Sequence, residues 1–207
     1  MAREITINTH KFVESSMIYG PGKRWVLWTQ GCTLACKDCW NTQTWAKHGG
    51  KEISISTLVE SITCQEDIEG ITILGGEPFQ QLDGIAELIK SVKQLGLTVM
   101  LYTGYEKAEF NDLMWQCFNS SDLVIAGRYR NDLRDVGLVW RGSTNQILES
   151  PTGYYDVTKF EESQEVEIHI DHETNQVTLT GYPDLQIIEM INQLTNSHRL
   201  GKSKNTS

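Results

Sequence analysis

Short, unbroken apolar runs recur along this chain with amphipathic segments between them, and that alternation limits the fold more than any other feature. Residues 24–30 hold Trp25, Val26, Leu27 and Trp28 with no polar face, the pattern of a strand buried on both sides. Further strands are expected at 71–74, 97–102 and 123–126. Between them, Thr57-Leu58-Val59-Glu60 fits a capping box that opens a short helix. Leu82, Ile85, Leu88, Ile89, Val92 and Leu95 recur at helical spacing before Gly96, which can close the helix with a left-handed cap. A helix over 106–118 would put Phe110, Leu113, Met114 and Cys117 on one side, which makes Cys117 a core residue. Strand and helix in alternation predict an α/β fold with a parallel sheet and ligands at the carboxyl ends of its strands.

The rest of the chain is less regular. Residues 131–143 are polar, and 145–148 read as a last sheet strand. Alternating residues at 165–170 and 176–180 flank a turn at 171–175, the pattern of a hairpin, and Asp184 begins a closing helix with Leu185, Ile188, Ile191 and Leu194. The tail 201–207 has too little apolar content to pack and is expected to be disordered. With 207 residues, one domain over 1–200 should carry everything. No run of eighteen apolar residues is present and the first residues lack a signal-peptide core, so a cytoplasmic protein is expected, without a membrane. A net charge of −9 argues against nucleic acid and for a protein or small-molecule substrate.

The chemistry concentrates at the expected strand ends. Cys32, Cys36 and Cys39 form a CxxxCxxC run directly after the first buried strand. Three soft, anionic thiolates at this spacing can hold a [4Fe-4S] cluster while leaving its fourth iron open. Cys64 and Cys117 stand alone and offer no second cluster. A zinc knuckle completed by His48 is the ordinary alternative. Five cysteines do not make an even disulfide framework.

Gly75-Gly76-Glu77-Pro78 follows the strand at 71–74. Glycines there let a ligand approach bare backbone, Glu77 offers a carboxylate to an ammonium group, and Pro78 stops the strand. Thr103-Gly104 and Gly127-Arg128 lie at the next two strand ends. His169 and His172 near the hairpin turn suggest a second metal only if they face the same way, and Gly20-Pro21-Gly22 lacks the residues of a phosphate loop.

Taken in order, these features resemble the radical S-adenosylmethionine (SAM) enzymes. They are more narrowly similar to the activating proteins of anaerobic ribonucleoside triphosphate reductase, within the branch that activates glycyl radical enzymes. The resemblance is carried by the cysteines and GGEP, and then by Gly20-Pro21-Gly22-Lys23-Arg24, Cys39-Trp40-Asn41, Tyr102-Thr103-Gly104-Tyr105, Arg141 to Gln146 and Gly181-Tyr182-Pro183. It departs at Asp38, where many such proteins have an aromatic residue, and at Ala126, where relatives often have Asp.

The resemblance implies an incomplete parallel β/α barrel with a C-terminal hairpin and helix. Its cofactors would be a [4Fe-4S] cluster on Cys32, Cys36 and Cys39, and SAM. In that reading Gly75 and Gly76 admit the cofactor, with Pro78 closing the motif. Glu77 takes the methionine ammonium, and Arg128, after Gly127, pairs with the methionine carboxylate or makes a plain surface salt bridge. Thr103 reaches the ribose, while Asn145 and Gln146 meet adenine or satisfy a buried turn. Trp40 and Trp45 either cover the cluster loop or pack. One electron, from a flavodoxin or ferredoxin type donor, would cleave SAM to methionine and a 5'-deoxyadenosyl radical, and the partner would be the large subunit of anaerobic ribonucleotide reductase. The other readings are a radical SAM enzyme for a small molecule or peptide, such as a 7-deazaguanine synthase, and a non-catalytic zinc or iron-sulfur protein.

Overall fold

The computed structural model describes residues 4–160, 166–171 and 176–181. The chain forms two compact units, Met1–Glu162 and Ser163–Ser207. In the first, β1 (Thr6–Ser16), β2 (Arg24–Thr29), β3 (Lys51–Ser54) and α1 (Ile55–Thr63) are followed by β4 (Gly70–Gly75) and α2 (Leu82–Gln94). Then come β5 (Thr98–Thr103), α3 (Asp112–Ser120), β6 (Leu123–Ala126) and β7 (Ile147–Glu149). In the second unit, β8 (Val166–Asp171) and β9 (Gln176–Gly181) form the expected antiparallel hairpin. The closing helix, the 201–207 tail, His172 and Tyr182-Pro183 lie outside the described residues.

The first unit is a mixed α/β structure around a seven-stranded sheet of order β3-β1-β2-β4-β5-β6-β7. Strands β2, β4, β5 and β6 run parallel, with α1, α2 and α3 in the crossovers. The sheet is not parallel throughout: β1, β3 and β7 pair antiparallel to their neighbours. No α-helix separates β1 from β2 or β6 from β7, and without a crossover helix the chain returns in the opposite direction. The order is also open at both ends.

The central strands are buried on both faces. Trp25, Leu27, Ile71, Ile73, Val99, Leu101 and Val124 pack with Leu58, Ile62, Leu88, Ile89, Val92 and Phe118 of the helices. Val26, Trp28 and Leu74 face the other way, with Tyr19 and Val13 against them. Met100, Leu123 and Ile125 on that side meet Trp140, Leu148, Tyr155 and Phe160. Burying one such Leu or Ile contributes roughly 1.5–3 kcal/mol, so this two-sided core carries most of the stability.

Helix ends show why local pattern alone misplaces boundaries. Thr57 is not the cap of α1: Ser54 is, its Oγ accepting the Thr57 N–H at 3.2 Å. The helix expected over 106–118 divides into a short turn, Lys107–Glu109, and α3, because the Asn111 side chain accepts the Met114 N–H at 2.9 Å and restarts the helix. Gly96 does close α2, at φ +76, with its N–H on the Lys93 carbonyl and that of Leu97 on Val92, a Schellman pair. Among the described residues no helix is long and apolar enough to cross a membrane.

Candidate functional site

The parallel strands end together, and the cysteine loop rises from the end of β2. Its neck is tied by the Gly31 N–H on the Thr44 carbonyl (2.7 Å) and the Cys32 N–H on the Trp45 carbonyl (3.1 Å). Gln30, buried beneath, donates to the Ala46 carbonyl at 2.7 Å and pairs with His10 Nδ1 at 2.9 Å. Within the loop, Ala35 and Asp38 take left-handed backbone at φ +49 and +57. Asp tolerates that conformation better than an aromatic residue, which gives Asp38 a local reason.

All three loop thiols are half-buried. Burial raises the Cys32 pKa, opposed by N–H groups of Leu34 and Ala35. Burial and the neighbouring Cys39 raise Cys36, opposed by the Tyr129 N–H and the Arg128 charge. The Asn41 N–H reaches Cys39 Sγ at 3.4 Å. At Cys32 and Cys36 the backbone donors favour the thiolate form that ligands of iron require, but burial outweighs them and leaves both pKa values raised. Among the described residues no three His, Cys, Asp or Glu side chains converge on a single metal ion. His48 is exposed. Cys64 is exposed and Cys117 is buried in the core as expected, its thiol pushed up to about 11 by burial.

Gly75 and Gly76 serve backbone packing. A Cβ on Gly75, at φ +112, would lie 2.5 Å from the Thr29 nitrogen, and one on Gly76 would lie 2.4 Å from the Gly31 oxygen. The Gly76 N–H donates to the Thr29 carbonyl (2.8 Å) and the Glu77 N–H to that of Gly31 (2.9 Å). GGEP therefore clamps the root of the cysteine loop. Pro78 opens a short turn, Pro78–Gln81, at the first-turn position where its missing N–H costs nothing.

The Glu77 carboxylate is 1% exposed. It accepts from the Phe79 N–H (2.9 Å), Thr103 Oγ1 (2.8 Å) and the Gly104 N–H (2.7 Å). Burial still dominates and pushes its pKa up to about 7. Three bonds leave one of its roughly four lone-pair sites for a ligand. Thr103, expected at the ribose, has its hydroxyl on Glu77 and under the Tyr105 N–H at 3.1 Å.

At the end of β6, the Gly127 N–H is held by the carbonyls of Thr103 and Tyr105, and φ is +111. Arg128 forms a two-pronged ion pair with Glu109. Gln146 donates to the Gly127 carbonyl at 3.0 Å and accepts from the N–H groups of Gly142 and Ser143, so both ends of its amide are engaged. Asn145 donates to the Arg128 carbonyl at 2.8 Å, but its buried Oδ1 has no partner among the described residues. Trp40 is 42% exposed with Arg134 above its ring at 5.0 Å, while Trp45 is half-buried. His169 lies in strand register with Thr178, which adds no described metal ligand.

Sequence reasoning missed Gln80 and Gln81. Gln80 accepts the Thr33 N–H at 3.1 Å and donates to Thr33 Oγ1 at 2.7 Å. Gln81 brackets the Asn8 backbone and donates to the Gln30 carbonyl at 3.0 Å. Their place directly after GGEP was the available signal.

Residues 18–149, well over half the chain, match the family described as a 4Fe-4S single cluster domain. More particular relatives share one name, anaerobic ribonucleoside-triphosphate reductase-activating protein. That of Enterobacteria phage T4 is 32% identical over 70% of this chain and 96% of its own length. That of Pasteurella multocida is 30% identical over 72% and 100%, and that of Escherichia coli K12 is 29% identical over 69% and 97%. The chain belongs to this family of activating proteins. A solved structure, QueE from Escherichia coli, is more distant, with a TM-score of 0.40 and 16% identity over 57% of this chain and 68% of QueE.

Proposed function

We propose that this protein binds a [4Fe-4S] cluster through Cys32, Cys36 and Cys39, binds SAM beside it, and generates a glycyl radical on the large subunit of an anaerobic ribonucleotide reductase. The relatives' shared name supports the partner. The observation that carries the reading is the clamp: Gly76 and Glu77 tie GGEP to the root of the cysteine loop by main-chain bonds to Thr29 and Gly31. Bound cluster and SAM supply one-electron cleavage of a carbon–sulfur bond and hydrogen-atom abstraction.

In this reading the chain's own groups position and shield. Glu77 offers its remaining lone pair to the methionine ammonium, and Arg128 offers a guanidinium to the carboxylate. Asn145 Oδ1 is a buried acceptor matched to the amino group of adenine. Gly127 leaves the strand end bare where a ligand would pass. The open seven-stranded sheet acts as an incomplete barrel whose unclosed side admits a partner's loop. A flavodoxin or ferredoxin type donor supplies the electron, and the cytoplasm is the setting.

The test is to mix reconstituted protein, SAM, reductant and the large reductase subunit, and record the electron paramagnetic resonance spectrum. A glycyl radical signal that requires all four components is expected. Consumption of SAM with no protein radical would overturn the proposal in favour of a small-molecule or peptide substrate.

A further inference from the structure

Glu109 belongs to none of the sequence motifs, yet its carboxylate is anchored more firmly than a surface acid needs to be. Its Oε2 accepts the Glu106 N–H at 2.8 Å, half of a reciprocal capping box on the Lys107–Glu109 turn. The same carboxylate takes Arg128 end-on through both terminal nitrogens, one at 2.8 Å. Arg128 also lies over the Tyr105 ring, its guanidinium carbon 5.9 Å from the centroid. The base of Arg128 is fixed as well, since the preceding Gly127 N–H is held by two carbonyls at the end of β5.

A plain surface pair is available for comparison. Arg130 bonds Asp132, two residues away on its own turn, and both side chains are more than half exposed. Arg128 instead reaches across to a different strand end, and its charge is felt at both the Cys36 thiol and the Glu77 carboxyl. Two of its five N–H donors are used on Glu109, and the guanidinium makes no other hydrogen bond among the described residues. An arginine held at base, face and tip has little rotamer freedom left to lose when a second carboxylate arrives.

We propose that Glu109 is a positioning residue for cofactor binding: it holds the Arg128 guanidinium ready for the carboxylate of the methionine part of SAM. The inference rests on the reading that Arg128 takes that carboxylate.

The test compares SAM with its decarboxylated analogue, which lacks only that carboxylate. Cluster-loaded wild type, Glu109→Gln, Arg128→Met and the double variant are titrated by calorimetry, with iron content and melting temperature recorded for each. In Glu109→Gln, the preference for SAM over the analogue should fall about tenfold, the loss of one charged contact's orientation, with affinity for the analogue unchanged. Arg128→Met should lose at least as much, and the double variant no more than Arg128→Met alone. Glu109→Asp, which keeps the charge but shortens the reach, should fall between wild type and Glu109→Gln. If Arg128→Met loses the preference while Glu109→Gln keeps or gains it, the positioning role is overturned and the Arg128 reading stands. If neither loses it, both fall. Equal loss of both ligands in Glu109→Gln would also overturn the proposal, as general damage to the site.

Discussion

At the amino ends of the parallel strands, the fully buried Arg24 guanidinium donates to Thr72 Oγ1 (2.8 Å), Thr98 Oγ1 (3.1 Å) and the carbonyls of Ile71 and Pro21. At the carboxyl ends, the buried Glu77 carboxylate accepts three hydrogen bonds, from Phe79, Thr103 and Gly104. Both ends use paired glycines for close approach, Gly20 and Gly22 against Arg24 and Glu69, Gly75 and Gly76 against the root of the cysteine loop. They differ in what is left over. Tyr155 closes the amino end by bonding Glu69 and Thr98 Oγ1, and its phenol is pushed up to about 12. The buried side-chain atoms without partners among the described residues are Thr29 Oγ1, Arg141 Nε and Asn145 Oδ1, all at the carboxyl end. One end is saturated and serves stability, while the other keeps unspent polar groups beside half-buried thiols, where a ligand can use them.

This contrast is broken most sharply by the cysteines. Replacing Cys32, Cys36 or Cys39 by Ala should abolish a stable cluster, read as iron and sulfide after anaerobic reconstitution, while changing apo-protein stability by less than about 0.5 kcal/mol. Cys64→Ala should load normally, and its failure to do so would overturn the ligand assignment.

Arg24→Ala should do the opposite. It leaves buried carbonyls unpaired and a cavity, at a cost of about 3–5 kcal/mol in urea unfolding, and the fraction that stays folded should still accept a cluster. A loss below about 1 kcal/mol would remove the amino end from its stabilising role.

A smaller effect separates Glu77 by pH. Its folded pKa of about 7 lies above the ordinary 4.5, so the folded chain keeps a proton that the unfolded chain has released. Unfolding free energy should therefore fall as pH rises from 4.5 to about 7, by up to about 3 kcal/mol from this group, and stay low above that. Glu77→Gln should flatten that slope. An unchanged slope would assign it to other groups.

The smallest expected effect is at Gln80. Gln80→Ala should cost about 1 kcal/mol and speed iron loss to a chelator, because Thr33 in the cysteine loop loses both of its bonds to the amide. An unaltered rate would show that the neck bonds at Gly31 and Cys32 suffice.

The sequence made the parallel strands legible because burial on both faces leaves an unmistakable apolar run, as in Trp25 to Trp28. It hid β1, whose mixed residues pair with β2 through register shifts at Thr9/Lys11 and Val13/Ser16, and the polar edge strand β3. The cysteine run stood out because three soft thiolates at that spacing suit iron. The closeness of Gly75 and Gly76 to another backbone, the engagement of Thr103 with Glu77, and the Gln80 and Gln81 ties were not. Each depends on which chain segment arrives opposite, a tertiary fact that spacing does not encode.

In the function proposed above, the unsaturated carboxyl end serves a glycine of another protein. The most direct measurement is to deuterate the glycines of the large reductase subunit, react it with the cluster-loaded protein, SAM and reductant, and analyse the 5'-deoxyadenosine by mass spectrometry. Deuterium is expected in that product, rising with the glycyl radical signal. Unlabelled 5'-deoxyadenosine in a mixture that turns over with this subunit would contradict it.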